Sequence, residues 1–304
     1  MSVPCAAVDV GSNSVRVLVL DADGHRVTRL MSITRLGEGV DESGRLKGEA
    51  LDRTMHVLAR YRGVWEDAGV TDRVRIAATS AVRDAANADE FFQRVRDTTG
   101  VEAEVLSGHD EARLAFAGAI GGIEPDGATT LIDVGGGSTE IVVGDAEGAV
   151  TASVSLQLGC VRLAERAVHS DPVDLVDVKA GVRIIEEQLD HADTLLAPAT
   201  PRGTRLVGVA GTVTTIAALH LGLESYEEDR IHGTFVHAAD WHRWTNRLLQ
   251  MTRAERAMLG PMAPGREDVI QAGAMIVDRF LVRHHLNGII ASEADILDGL
   301  AASL

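Results

Sequence analysis

The sequence predicts an α/β protein of two similar domains that face each other across a cleft. Three observations lead there. Residues 9–24, DVGSNSVRVLVLDADG, and 133–148, DVGGGSTEIVVGDAEG, write one sixteen-residue pattern twice, 124 positions apart. Self-similarity at a fixed offset exposes architecture, and two copies point to paired halves rather than a solenoid. Strand runs followed by helical runs occur once in each half. Between them lies GGIEPDGA (121–128), rich in Gly and Pro, which marks the boundary. The domains are therefore set at 1–122 and 123–292, with the terminal helix, about 293–304, assigned to the first.

The elements follow in order. Ala6 to Val10 and Val15 to Leu20 are apolar runs joined by a tight turn rich in Gly and Ser, a β-hairpin. Val27 to Thr34 continues as a strand. Residues 49–68 carry helical spacing and stop before Gly69, and Val74 to Ala78 is a strand. Asn87 with Glu90 three residues later reads as a capping box that opens a helix to about Arg96. A short strand spans 101–106 and a helix 107–120. The second half repeats the plan: strands at 129–134, 139–144 and 149–157, then helices near 160–168 and 174–196. After a polar loop at 197–204, a strand at 205–210 runs into Gly211 and a helix. Helices fill much of 238–281, GRED (265–268) opening one of them. A strand at 286–291 and a terminal helix finish the chain.

Bulk properties exclude several classes. A net charge of −16 argues against general nucleic-acid binding by long-range attraction. Lys47 and Lys179 are the only lysines, so arginine, the residue suited to bidentate phosphate contacts, carries nearly all positive charge. Two cysteines, Cys5 and Cys160, fit a reducing compartment rather than a disulfide scaffold. No apolar stretch approaches a membrane span. MSVPCAAVDVG has no basic leader region and enters a strand directly, so a cytoplasmic location is expected. There is no GxxxxGK[ST], GxGxxG, GxSxG or HExxH, so P-loop, Rossmann, serine-hydrolase and zinc readings fail.

The candidate chemistry sits at the duplicated turns. Successive N–H groups of Gly11, Ser12, Asn13 and Ser14, and of Gly135, Gly136, Gly137 and Ser138, suit an anion cradle. Asp9 and Asp133 stand at those turns, where a carboxylate holds Mg²⁺ or water beside phosphate. In LSGHDEARL (106–114), Ser107 caps a helix with Asp110 as partner. Glu111 lies on the apolar face with Leu114, Ala115 and Gly118, so it is either paired or faces a cleft. Arg83 after the 74–78 strand binds phosphate or pairs with Asp84 or Asp89. Gly211 and Thr212 open a helix after a strand, which serves either anion binding or close strand–helix packing. Glu267 and Asp268 are acids at a helix start, the position the macrodipole favours.

Taken together, DVGSNSVR, RLGEGVDESGRLKGEALDRT (35–54), AATSAVRDAAN (77–87), LSGHDEARL, DVGGGSTE, LGCVRL (158–163), VAGT (209–212), HG (232–233) and GREDVIQAG (265–273) resemble the exopolyphosphatase / guanosine pentaphosphate phosphohydrolase family. The resemblance implies two actin-like (ribonuclease-H-like) domains and a phosphoanhydride hydrolase of the short, two-domain form. It makes Glu111 the catalytic base; the Glu that usually precedes it is Asp110 here. It further implies Mg²⁺ held by Asp133, Glu140 and Asp9, with Arg83 and Arg16 neutralising substrate charge. The expected substrate is inorganic polyphosphate, short chains preferred, with guanosine pentaphosphate as the rival. An actin- or sugar-kinase-like ATPase and a non-catalytic polyphosphate or alarmone sensor are the more distant alternatives. Mn²⁺ as a substitute ion, K⁺ as an additional one and a homodimer are left open.

Overall fold

A run of six buried residues, CAAVDV, makes β1 (Cys5–Val10) a central strand. A computed structural model of the chain describes residues 3–121, 123, 127–145, 149–197, 199 and 204–304. The expected boundary at 121–128, the end of the second copy at 146–148 and the loop at 197–204 fall wholly or partly outside those residues. The chain divides into two compact units, residues 1–118 with 296–304, and residues 119–295.

In the first unit β1 pairs antiparallel with β2 (Ser14–Leu20), which pairs with β3 (Arg26–Ile33) at the sheet edge. A short α1 (Val40–Ser43) precedes α2 (Gly48–Asp67), whose Leu51, Thr54, Met55, Leu58, Tyr61 and Trp65 form the buried stripe that helical periodicity requires. β4 (Val74–Ala78) lies parallel to β1. Then come α3 (Ser80–Arg83), α4 (Ala88–Thr99), β5 (Ala103–Val105) parallel to β4, and α5 (Gly108–Ile120). The sheet order is β3-β2-β1-β4-β5.

The second unit repeats it. β6 (Thr129–Val134) pairs antiparallel with β7 (Thr139–Gly144), and β7 with β8 (Val150–Leu156). Helices α6 (Cys160–Ala167) and α7 (Leu175–Leu196) precede β9 (Arg205–Val209), which is parallel to β6. Next are α8 (Ala210–His220), α9 (Glu228–Ile231), β10 (Phe235–His237), α10 (Ala238–Gln250), α11 (Arg253–Ala257), α12 (Ile270–His284) and β11 (Gly288–Ala291). The order β8-β7-β6-β9-β11-β10 is the first sheet with one edge strand added. The last helix, α13 (Ile296–Ala302), returns to the first unit and packs on β1 and β2. Each unit thus has the ribonuclease-H-like arrangement, with its own apolar core. Among the described residues no helix is long and apolar enough to cross a membrane.

The duplication reaches the backbone. Gly11 N donates to Ser14 O at 2.9 Å, and Gly135 N to Ser138 O at 3.0 Å. The far turns match as well: Asp21 Oδ1 accepts the His25 N–H, and Asp145 Oδ1 the Ala149 N–H, both at 2.8 Å. The β2–β3 register slips between Val19 and Leu20, and the β7–β8 register between Val143 and Gly144, again 124 residues on.

Two expectations are corrected. Asn87 does not cap α4; its amide is spent on the Leu46 N–H and carbonyl and on Glu90. A side chain that can bridge two segments bonds across the fold instead of capping its own helix. GRED does not open a helix, because α12 starts only at Ile270. Glu267 instead accepts the Gly265 N–H at 2.6 Å and Arg253, and Asp268 pairs with Arg253.

Candidate functional site

In the first unit the turn between β1 and β2 is locked from behind. Asn13 O accepts the N–H groups of Thr34 and Arg35, and Ser12 O that of Gly37. Gly37 has to be glycine, since a Cβ there would lie 2.8 Å from the Ser12 Cβ. Ser12 is buried, with its Oγ 2.9 Å from that of Ser80 at the start of α3. With these carbonyls engaged, no backbone carbonyl among the described residues accepts from Ser12 N or Asn13 N. Successive N–H groups of that kind make an anion cradle.

Asp9 and Arg16 occupy facing register positions on β1 and β2. Arg16 donates to Asp9 Oδ2 through Nε at 3.0 Å and Nη2 at 2.6 Å. Glu111, in the first turn of α5, is 7 % exposed. Its partner is Arg83, whose Nη1 donates to Glu111 Oε2 at 3.0 Å and to Leu106 O at 3.1 Å. The carboxylate that helical spacing left paired or facing a cleft is therefore paired, and Arg83 reaches it rather than Asp84 or Asp89. A guanidinium in this position fixes the direction of the carboxylate. Ser107 and Asp110 form the expected cap, with Asp110 N donating to Ser107 Oγ at 3.1 Å. Both ends of α5's first turn are thus held, by the cap and by Arg83.

In the second unit the equivalent turn is backed by α6. Gly135 O accepts Cys160 N, and Gly136 O accepts the N–H groups of Val161 and Arg162. Gly159 fills the place of Gly37; a Cβ on it would sit 2.6 Å from Gly137 N. Asp133 and Glu140 occupy the facing register positions that Asp9 and Arg16 occupy in the first unit. Both are buried, on one face of the sheet. Ser155 Oγ donates to Glu140 Oε1 at 2.8 Å. One hairpin thus places arginine opposite aspartate where the other places glutamate.

At the start of α8, Ala210 takes φ +67°, and Gly211 follows. A Cβ on Gly211 would meet the Arg266 guanidinium, 2.5 Å from Cζ and 2.8 Å from Nε. Arg266 lies flat over the helix start and donates to Thr215 Oγ1 at 2.6 Å. Thr212 beside it is buried. A helix N-terminus with an arginine across it suits an anion. Arg266 went unread in the sequence because its partners lie 51 residues and more away. The usable signal was a glycine where β9 enters α8, which asks what fills the missing side chain's place.

The predicted residues therefore gather in two sets. Asp9, Gly11, Ser12, Asn13, Ser14, Arg16, Arg83 and Glu111 belong to the first unit. Asp133, Gly135, Gly136, Gly137, Ser138, Glu140, Gly211 and Thr212 belong to the second. For a divalent ion the expected ligands are carboxylates of both sets, Asp133 and Glu140 in the second and Asp9 in the first. Asp133 and Glu140 offer hard carboxylate oxygens side by side, the chemistry Mg²⁺ takes with water completing its shell; the Asp9 carboxylate, the third expected ligand, is bound by Arg16.

A sequence profile of the Ppx/GppA phosphatase family matches residues 17–303. Exopolyphosphatase 2 of Mycobacterium tuberculosis is 42 % identical, with 98 % of each chain covered. Among solved structures, an exopolyphosphatase-like protein is 33 % identical with a TM-score of 0.92, covering 99 % of this chain and 98 % of its own. The Aquifex aeolicus member of the Ppx/GppA family is 30 % identical with a TM-score of 0.81, covering 99 % and 97 %.

Proposed function

Because this chain belongs to the Ppx/GppA phosphatase family, we propose that it is an exopolyphosphatase, which hydrolyses the terminal phosphoanhydride bond of inorganic polyphosphate and releases orthophosphate. The observation that carries the reading is Glu111, a carboxylate buried on the apolar side of α5 and aimed by Arg83. The name of the M. tuberculosis relative supports the substrate class.

Glu111 accepts a proton from water as the water oxygen adds to the terminal phosphorus. The bridging P–O bond breaks, leaving orthophosphate and a chain one unit shorter. Such transfers depend mainly on positioning and on neutralising charge. In this reading the turn N–H groups of Gly11 to Ser14 and of Gly135 to Ser138 bind phosphoryl oxygens. Arg266, with Gly211 and Thr212, binds a further phosphate at the start of α8. Arg83 and Arg16 lend positive charge while holding Glu111 and Asp9. Asp133 and Glu140 are the residues that would hold Mg²⁺. When bound, the ion supplies charge neutralisation at the phosphoryl oxygens. Short chains are the preferred substrates in this reading; the net charge of −16 opposes any polyanion at a distance, so affinity varies strongly with salt.

The test is phosphate release from polyphosphates of defined length and from guanosine pentaphosphate, with Mg²⁺ or Mn²⁺, with and without K⁺. Glu111→Gln is expected to lose about 10²–10⁴ in kcat while still binding polyphosphate. Near-normal turnover in that variant removes Glu111 as the base. Faster release from the nucleotide than from any polyphosphate moves the assignment to guanosine pentaphosphate hydrolysis.

A further inference from the structure

Arg256 is buried, and its donors are distributed over three parts of the second unit. Nε donates to Glu267 O at 2.7 Å. Nη1 donates to Met251 O at 2.6 Å and Leu248 O at 3.3 Å, at the end of α10. Nη2 reaches Asp171 Oδ1 at 3.2 Å, 85 residues away in sequence. A buried guanidinium is costly unless its donors are used, and these are.

The carbonyl held at 2.7 Å belongs to the residue after Arg266. The other flank of Arg266 is tied too, since Gly265 N donates to Glu267 Oε2 at 2.6 Å. The Glu267 carboxylate is steadied by Arg253 of α11, which also pairs with Asp268 at 2.5 Å. Burial works to raise the Glu267 pKa, but the N–H groups and Arg253 outweigh it and leave the value below the usual 4.5. Of the two arginines of this short helix, Arg256 therefore holds the backbone just after Arg266, and Arg253 holds the Glu267 carboxylate that ties the backbone just before it.

We propose that Arg256 is a positioning residue: it holds the 265–268 segment, and through it the Arg266 guanidinium, in place over the first turn of α8. The inference rests on the reading of Arg266 as a phosphate-binding group. Arginine rather than lysine is needed because the fork reaches three carbonyls and a carboxylate at once, where an ammonium is a single point. A displacement of about 1 Å at a binding group costs up to about 10²-fold.

The experiment is a double-mutant cycle on the full chain at fixed ionic strength, measuring kcat and KM for short polyphosphate. Arg266→Ala alone raises KM, and Arg256→Lys alone raises KM about tenfold with kcat within about twofold. In the Arg266→Ala background Arg256→Lys adds nothing, because the group it positions is gone. An equal further rise in that background shows a role independent of Arg266 and overturns the proposal while leaving the phosphate role of Arg266 intact. An unchanged KM in Arg266→Ala alone removes that phosphate role, and the proposal with it. Should Arg256→Lys fail to fold, Glu267→Gln loosens the other flank and enters the same cycle with the same expected pattern.

Discussion

Replacing Gly299 by alanine tests whether the α5 carboxylate must be placed to within about an ångström. Gly299 belongs to α13 and faces the backbone of Leu114, one turn beyond Glu111. A Cβ added there would lie 2.8 Å from the Leu114 carbonyl carbon, 3.2 Å from its Cα and closer still to its oxygen. Non-bonded carbon atoms settle at about 3.5–4.0 Å, so the two helices must part by about 1 Å. Overpacking of this kind costs about 1–3 kcal/mol, within the reach of a stable domain. The displaced helix carries Glu111, and a misplacement of that size costs up to about 10²-fold in rate. Gly299→Ala is therefore expected to lower kcat about 10- to 100-fold, with little change in KM, because the turns proposed to bind phosphate are untouched. The assay is steady-state phosphate release from short polyphosphate, beside a thermal melt that shows a folded protein. Gly63→Ala, in the middle of α2 with no atom within 4 Å of the added methyl, is the control and should leave turnover unchanged. Wild-type kcat in a folded Gly299→Ala protein would refute the link between α13, α5 and the placement of Glu111 as the proposed base.

Asp133→Asn should raise the Mg²⁺ concentration for half-maximal activity by about 10- to 100-fold, the range for lost metal-supporting groups. Calorimetric titration with Mg²⁺ alone should show the same weakening, and identical Mg²⁺ curves would take Asp133 out of the ion site. Burial pushes the Cys160 thiol up from the usual 9.0 to about 11, against the opposing pull of Arg266. In a Cys5→Ser background, alkylation of folded protein should thus stay slow through pH 9 and rise only toward pH 11. A labelling rate that climbs around pH 9 would show an accessible, ordinary thiol.

The parts read correctly from sequence were those written locally. The duplicated hairpins are legible because Gly, Ser and the apolar alternation around them sit within sixteen residues. The burial of Glu111 follows from helical spacing. The cross-strand position of Arg16 opposite Asp9 was within reach, because a hairpin with a fixed turn sets its own register. What could not be read depends on distant residues. Arg83 chooses Glu111, 28 positions on, over nearby Asp84 and Asp89 because the β4–α3 and β5–α5 junctions are brought together by parallel strand pairing. Arg266 meets Gly211 through the packing of β9, α8 and α12. Asn87 looks like a cap from its neighbours and is used by Leu46, 41 residues earlier. β10 is three residues long, too short for its alternation to register.

The return of α13 to the first unit has a consequence for the order in which this protein is made. The strands and helices through α5 leave the ribosome early, yet the surface that seats α5 through Gly299 is encoded after residue 295. At roughly 5–20 residues per second, translation of the intervening second unit leaves the helix that carries Glu111 without that partner for on the order of ten seconds. Nascent chains halted before Ile296 can complete the second unit's own sheet and core while the first still lacks α13.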